Sequence, residues 1–356
     1  MVLDGLRGVA ALSVVIFHRR WLAPGGHAFD HGFLAVNFFF ILSGFVIDHA
    51  YTDRLAKGMT LANFALRRVI RLYPLIVAGA VLGLLYALAL AHLHHEPESY
   101  WRYTKAAFFN MFCLPSPAGL VEGPFIINRP TWSLFFELIA NIAFALLFCR
   151  FSNRVLWIAL AIIAPILMYV TFKFGTINVG FEYGELIYGL PIVLTPFIIG
   201  ILISRYMYVV TGPALPFWLS SAMLIAIFQI PVLPGLWGPI YHISLMLIGF
   251  PLIILASTRT QPAGFWLKAA QFGGFISYPL YALHYPILQF VSGFGEMMKI
   301  PNAVTLIGVV IASIVTAWVA ARIYDEPVRA WLESRLLRKS RQHHDFAKSK
   351  ISGKSA

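Results

Sequence analysis

The sequence predicts an all-α polytopic membrane protein of about ten transmembrane helices, with both termini on the cytoplasmic side. Composition is the first reason. Of its 356 residues 59% are hydrophobic and 12% charged, with mean hydropathy +0.77, whereas soluble domains carry about 25% charged residues. Second, apolar runs near the length that crosses a bilayer, about 20 residues, recur from one end to the other. Third, when both termini are placed inside, 20 of the 27 Lys and Arg residues fall on the cytoplasmic side. The net charge of +12 is then mostly topology rather than a nucleic-acid footprint. No signal peptide is expected, because the first apolar run leads into His18-Arg19-Arg20 instead of a small-residue cleavage site.

The spans follow in order as 3–21, 33–51, 74–93, 131–150, 155–174, 186–203, 214–230, 240–256, 272–291 and 303–323. Span 1, LDGLRGVAALSVVIFHRR, carries Asp4, Arg7 and His18. An ionisable group inside a membrane is costly and usually faces the bundle interior. Arg7 and His18 are three helical turns apart, sharing a face at roughly 16 Å. Asp4 and Arg7 can also simply pair at i, i+3. His18 is the span-1 group able to take a proton near neutral pH. Arg19 and Arg20 run against the charge trend; they would meet an acidic acceptor or anchor the span in headgroups.

Span 2 offers Asn37 and Ser43, and its Gly44, like Gly79 and Gly83 of span 3, suits close helix packing. Between spans 2 and 3, FALRRVIRLYP reads as a short helix ending before Pro74. It gathers Arg67, Arg68 and Arg71 on one side, where guanidiniums can hold a phosphate bidentately. Span 4 opens TWSLFFELIAN, so Ser133, Glu137 and Asn141 make one polar stripe. Glu137 then either handles protons or ties helices together. Span 9, ISYPLYALHYP, sets Ser277, Tyr281 and His284 on one face, while Tyr278 and Tyr285 fit interface anchors. Span 10 leads into YDEPVR and a basic tail.

The chain divides into one transmembrane domain, 1–335, and a cytoplasmic tail, 336–356, expected to be disordered near the anionic inner leaflet. No internal repeat or second domain is visible. Cys113 falls in an outer loop and Cys149 at the inner end of span 4, so no disulfide between them is expected. No metal site is expected.

Taken together, LDGLRGVAALSVVIFH, FLAVNFFFILSGFVI, RRVIRLYP, TWSLFFE, ISYPLYALHYP and YDEPVR resemble the acyltransferase-3 family of integral membrane acyltransferases. The six pieces keep the family's order and cover most of the chain. The resemblance implies a ten-helix bundle that moves an acyl group, usually acetyl, from cytoplasmic acyl-CoA to a hydroxyl on a glycan or other acceptor. It makes His18 the catalytic residue, either as base for direct transfer from CoA or as carrier of an acyl intermediate, and associates Arg7, Arg68 and Arg71 with the acyl donor. Glu137 would orient or recharge His18, and Asp4 would hold Arg7. Asp4, Asn37, Ser43, Trp132, Tyr281 and His284 complete the candidate set as substrate-binding positions. The last-helix Glu-Pro of the family maps onto Glu326-Pro327.

Two departures stand out. Asn37 occupies a position where the family often has Asp, and only Met1 and Val2 precede the first motif, where relatives carry a basic lead-in. No esterase-like domain follows span 10, so the bundle alone is expected to handle the acceptor. The expected function is an acyl-CoA-dependent O-acyltransferase of the bacterial inner membrane, with acetyl-CoA as co-substrate and no metal. Its partners would be a cell-envelope or exported polysaccharide, a lipid-linked glycan, membrane lipid, and a second copy in a homo-oligomer. A small secondary metabolite such as a macrolide is the alternative acceptor. The rival from another class is a proton-coupled secondary transporter, which should show repeat symmetry and matching broken helices; the sequence shows neither.

Overall fold

A computed structural model describes residues 1–337, and it is helical throughout apart from loops and one isolated β-bridge, Ala118 with Val121. The helices are α1 Val2–Phe17, α2 Ala35–Ala56, α3 Leu61–Leu93, α4 Glu98–Met111, α5 Thr131–Leu146, α6 Asn153–Phe174 and α7 Gly189–Tyr206. They continue as α8 Phe217–Gln229, α9 Trp237–Ser244, α10 Phe250–Ser257, α11 Gly264–Met297, α12 Asn302–Ala320 and α13 Glu326–Leu332. π-helical turns at Leu245–Gly249 and Ala321–Asp325 join α9 to α10 and α12 to α13.

Each expected span falls on helix, and seven segments among the described residues are long and apolar enough to cross a membrane. Of the other three, α1 has 16 residues, α8 has 13, and α11 has 34 with a polar face. The outward side chains confirm what surrounds the bundle. In α6, Ile158, Ile162 and Tyr169 are 59%, 61% and 63% exposed and lie on one side. In α12, Val304, Ile307, Ile311 and Val315 repeat the pattern. Water would oppose such stripes at about 25 cal/mol per Å²; lipid tails accept them.

One expectation needs correction. The arginine-bearing segment is not a separate helix ending before Pro74, because α3 runs unbroken for 33 residues with Pro74 inside. Within a bundle the carbonyls a proline frees find partners on neighbouring helices. Pro74 removes the donor that the Ile70 carbonyl would use, and the Tyr278 hydroxyl donates close by, to the Leu72 carbonyl. A start signal stands at Thr60, whose hydroxyl accepts from the Asn63 amide at 3.2 Å. The loop after α3 also holds a helix, α4, that packs on α3 through Ala106 and Ala107. Helix continues through Leu337, and residues 338–356 of the expected tail lie outside the described residues.

Two glycine-mediated contacts hold the site's helices together. A Cβ on Gly8 of α1 would stand 2.5 Å from the Gly273 Cα of α11. One on Gly44 of α2 would collide with the Phe197 carbonyl of α7, and one on Gly200 of α7 with the Ile41 carbonyl. Backbones therefore approach closely on both sides of α1–α2, as small residues permit in membranes. Phe38, Phe228 and Phe250 fill the core beside them.

Candidate functional site: a stacked passage from an arginine cluster to a histidine pair

The polar residues of α1, α2, α3, α5 and α11 surround three cavities that follow one another along α1. The largest, about 400 Å³, sits at the His18 end and is lined by His18, Arg20, Arg129, Trp132, Tyr281 and Tyr285, with Glu122 and Glu182 on its rim. The second, about 40 Å³, lies between Arg7, Ser133, Glu137, Ser277, Tyr278 and Tyr281. The third, about 30 Å³, is enclosed by Arg7, Ser43, Arg68, Arg71, Glu137 and Tyr278. Tyr281 and Val36 wall both the first and second; Arg7, Glu137 and Tyr278 wall both the second and third. The two smaller chambers have room for only a few waters each. The result is a wide vestibule narrowing to a polar throat.

At the narrow end, Glu137 Oε1 accepts from Arg68 Nη2 and from Ser43 Oγ, both at 3.0 Å. Arg68 is 7% exposed, so this is a buried pair whose members each need the other. Arg7 and Arg71 face the same chamber and make no hydrogen bond or ion pair among the described residues. Three guanidiniums thus meet one carboxylate, and the excess positive charge suits an anion such as a phosphate. This overturns the expectation that Glu137 orients His18. The carboxylate is taken by Arg68 and Ser43, and Glu137 lines only the two small chambers. Asp4 likewise does not hold Arg7: its carboxylate lies 3.3 Å from the Met1 amine and is 57% exposed.

In the throat, Ser133 Oγ donates to the Pro130 carbonyl at 2.9 Å and shares a 2.5 Å bond with the Tyr281 hydroxyl. The polar stripe on α5 is therefore read by separate neighbours, Tyr281 at Ser133 and Arg68 at Glu137. Asn141 is buried with neither amide atom bonded, and Asn37 is buried with Nδ2 unbonded. Neither asparagine lines any of the three chambers.

At the wide end, the His18 ring lies 5.3 Å from the His284 ring and 5.4 Å from Tyr285. His284 is 1% exposed and does not line the vestibule, so it stands behind His18 and does not touch an acceptor as expected. Arg19 donates to Ser292 Oγ at 2.8 Å and to the His18 carbonyl at 2.9 Å, while Arg20 pairs with Asp30 at 3.4 Å. Both arginines are thus spoken for within the fold. Arg129, Glu122, Glu182 and Asn178 of the vestibule escaped sequence reasoning because they lie in irregular loops without periodicity. At the last motif the buried acid is Asp325, bonded to Arg329 at 3.0 Å, whereas Glu326 is 43% exposed opposite Arg322.

A histidine beside an open vestibule, above a throat leading to unpaired arginines, is suited to general-base chemistry on a group delivered by an anionic carrier. Comparisons with known proteins identify the family. The model of the acyltransferase domain matches residues 2–322. Protein 2 of the picA locus from Rhizobium radiobacter is 35% identical over 184 residues, covering 49% of this chain and 95% of that protein. Peptidoglycan O-acetyltransferase OatA of Listeria monocytogenes is 24% identical over 363 aligned positions, covering 92% of this chain and 55% of the relative. O-acetyltransferase OatA of Staphylococcus aureus is 25% identical over 362, covering 92% and 57%. The chain therefore spans little more than half the length of these two relatives. No solved structure matches.

Proposed function

The chain belongs to the acyltransferase-3 family of multi-pass membrane proteins, and from that premise we propose that it transfers an acetyl group from cytoplasmic acyl-CoA to a glycan hydroxyl in the bacterial cell envelope. The observation that carries this reading is the stacked passage joining Arg7, Arg68 and Arg71 to His18.

In the proposed orientation the arginine end opens to the cytoplasm and grips the phosphates of CoA. The thioester arm threads past Tyr278 and Tyr281, presenting its carbonyl below His18. The acceptor enters the vestibule, where Trp132 and Tyr285 offer flat apolar faces and Glu122, Glu182 and Arg129 offer hydrogen bonds. That mixture of aromatic faces and polar groups suits a sugar ring, and the peptidoglycan O-acetyltransferase relative favours a glycan acceptor. His18 takes the hydroxyl proton as oxygen attacks the thioester carbonyl. The tetrahedral intermediate collapses, the C–S bond breaks, and the thiolate leaves with the proton His18 returns. General-base help of this kind is worth about 10²–10⁴-fold.

The experiment uses the full chain in nanodiscs with radiolabelled acetyl-CoA. Wild type should bind the donor and release CoA slowly to water. Arg71→Ala, which breaks no internal bond, should weaken donor binding about tenfold or more. No affinity of wild type for any acyl-CoA would overturn the reading and favour a proton-coupled transporter.

A further inference from the structure

We infer that His284 is a positioning residue that selects the tautomer of His18 and aims its free nitrogen into the vestibule. The inference rests on the reading of His18 as the base, and its first observation is a hydrogen-bond inventory. His284 Nδ1 lies 2.9 Å from the Tyr281 carbonyl oxygen and 3.1 Å from that of Leu280. Carbonyls only accept, so Nδ1 carries the proton. A neutral imidazole protonated there has a bare lone pair on Nε2. That Nε2 is fully buried and has no partner.

The second observation is the ring packed beside His284. The His18 ring stands at 5.3 Å between centroids, tilted by 34°. Two imidazoles joined by an N–H···N bond of about 3 Å have centroids roughly 5 Å apart. A small turn of His18 therefore closes the bond, and catalytic hydrogen bonds are commonly loose before substrate arrives. Arg19 restrains the same turn of chain by donating to the His18 carbonyl at 2.9 Å. Tyr285 meets the ring edge-on at 5.4 Å, and Tyr281 packs against His284 at 5.9 Å.

The pair explains how a base can work without a carboxylate. One His18 nitrogen donates its proton to His284 Nε2, so the other presents its lone pair to the acceptor hydroxyl. When His18 takes the hydroxyl proton it becomes an imidazolium, and His284 Nε2 holds the opposite N–H in place. On return of the proton to the CoA thiolate the original tautomer is restored. His284 gains and loses nothing, so it acts through His18 alone. Its α11 backbone clamp fixes which nitrogen it can offer. This is the work an aspartate performs behind the histidine of a hydrolase triad, here assigned to a second histidine.

The test compares His284→Ala and His284→Gln with wild type in nanodiscs. Gln can place an amide oxygen, again an acceptor, near the position of Nε2. His284→Ala should lower kcat 10- to 100-fold, as loss of an outer-shell partner commonly does. KM for acetyl-CoA should change less than about twofold, and Gln should recover a large part of the kcat loss. Independently, protein labelled with ¹⁵N-histidine, with His18 assigned by its loss in His18→Ala, should show one neutral tautomer for His18 in wild type. In His284→Ala that signal should become a tautomer mixture. The inference is overturned if the His18 tautomer is unchanged in His284→Ala, or if Ala and Gln are equally impaired while remaining folded. The spectroscopic arm needs no acyl donor. It therefore still decides the pairing if wild type fails to use acetyl-CoA, in which case only the proposed function falls.

Discussion

Glu137 of α5 and Arg68 of α3 meet at 3.0 Å inside the bundle, with Ser43 of α2 on the same carboxylate oxygen. Three helices are thereby tied at the level where two further arginines, Arg7 and Arg71, make no hydrogen bond or ion pair among the described residues. The arrangement separates two jobs. Arg68 is neutralised and structural in large part; Arg7 and Arg71 are left to attract an anion.

That separation has a measurable consequence. Arg68→Ala strands a buried carboxylate, and Glu137→Ala a buried guanidinium, so each should cost about 3–5 kcal/mol. The double variant Arg68→Met/Glu137→Leu should recover much of that stability, because a well-packed apolar pair often replaces a buried ion pair without loss. Thermal unfolding in detergent, followed by size-exclusion chromatography, reads both effects. Equal melting temperatures for single and double variants would remove the pair from its structural role.

Tyr281 stands at the constriction between the vestibule and the middle chamber. Tyr281→Phe loses the bond to Ser133, at a cost of about 1 kcal/mol, and should keep the acyl-chain preference of wild type. Tyr281→Ala removes the wall and should raise the butyryl-CoA to acetyl-CoA rate ratio at least severalfold. Rates of CoA release with the two donors decide this, and an unchanged ratio would place the chain-length limit elsewhere.

The glycine contacts give a prediction about folding alone. Gly8→Val would push a branched side chain into the Gly273 backbone, and Gly44→Val into the Phe197 carbonyl. Overpacking of this kind costs about 1–3 kcal/mol or more. Both variants should yield less monodisperse protein than Gly119→Ala, a loop position where nothing lies within 4 Å of an added Cβ. Gly119 has φ +82°, so even that control carries local strain.

Orientation is open to direct chemistry. Lys57 and His94 flank α3 in opposite end loops, and both are exposed. In a background with Cys113→Ser and Cys149→Ser, Lys57→Cys should react with an impermeant maleimide only after permeabilisation. His94→Cys should react in intact cells. The reverse pattern would put the arginine chamber outside and the vestibule inside, which contradicts delivery by cytoplasmic acyl-CoA.

How much of this was legible beforehand follows from the physics of each signal. Apolar runs near bilayer length are long-range composition, and all ten fall on helix. Pro74 misled, because proline ends a helix in water far more reliably than inside a bundle where Tyr278 can serve a nearby carbonyl. Spacing correctly placed Glu137 and Ser133 on one face, yet spacing along α5 says nothing about which helix meets that face. Only the fold shows Arg68 taking the carboxylate assigned to His18. His284 was visible as a polar residue on α11, but its distance from His18 depends on the Gly8–Gly273 contact that brings α1 and α11 together. Asp325, rather than Glu326, is the buried acid because the π-helical turn at Ala321–Asp325 shifts which residue faces inward.

The central claim, that His18 is the base serving a donor held by arginines three turns away, is tested most directly by one comparison. Equilibrium binding and single-turnover transfer of radiolabelled acetyl-CoA would be measured on His18→Ala and wild type in the same nanodiscs. The account predicts donor binding unchanged within about twofold and acetyl transfer slowed by about 10²–10⁴-fold. Transfer at the wild-type rate by His18→Ala would contradict it.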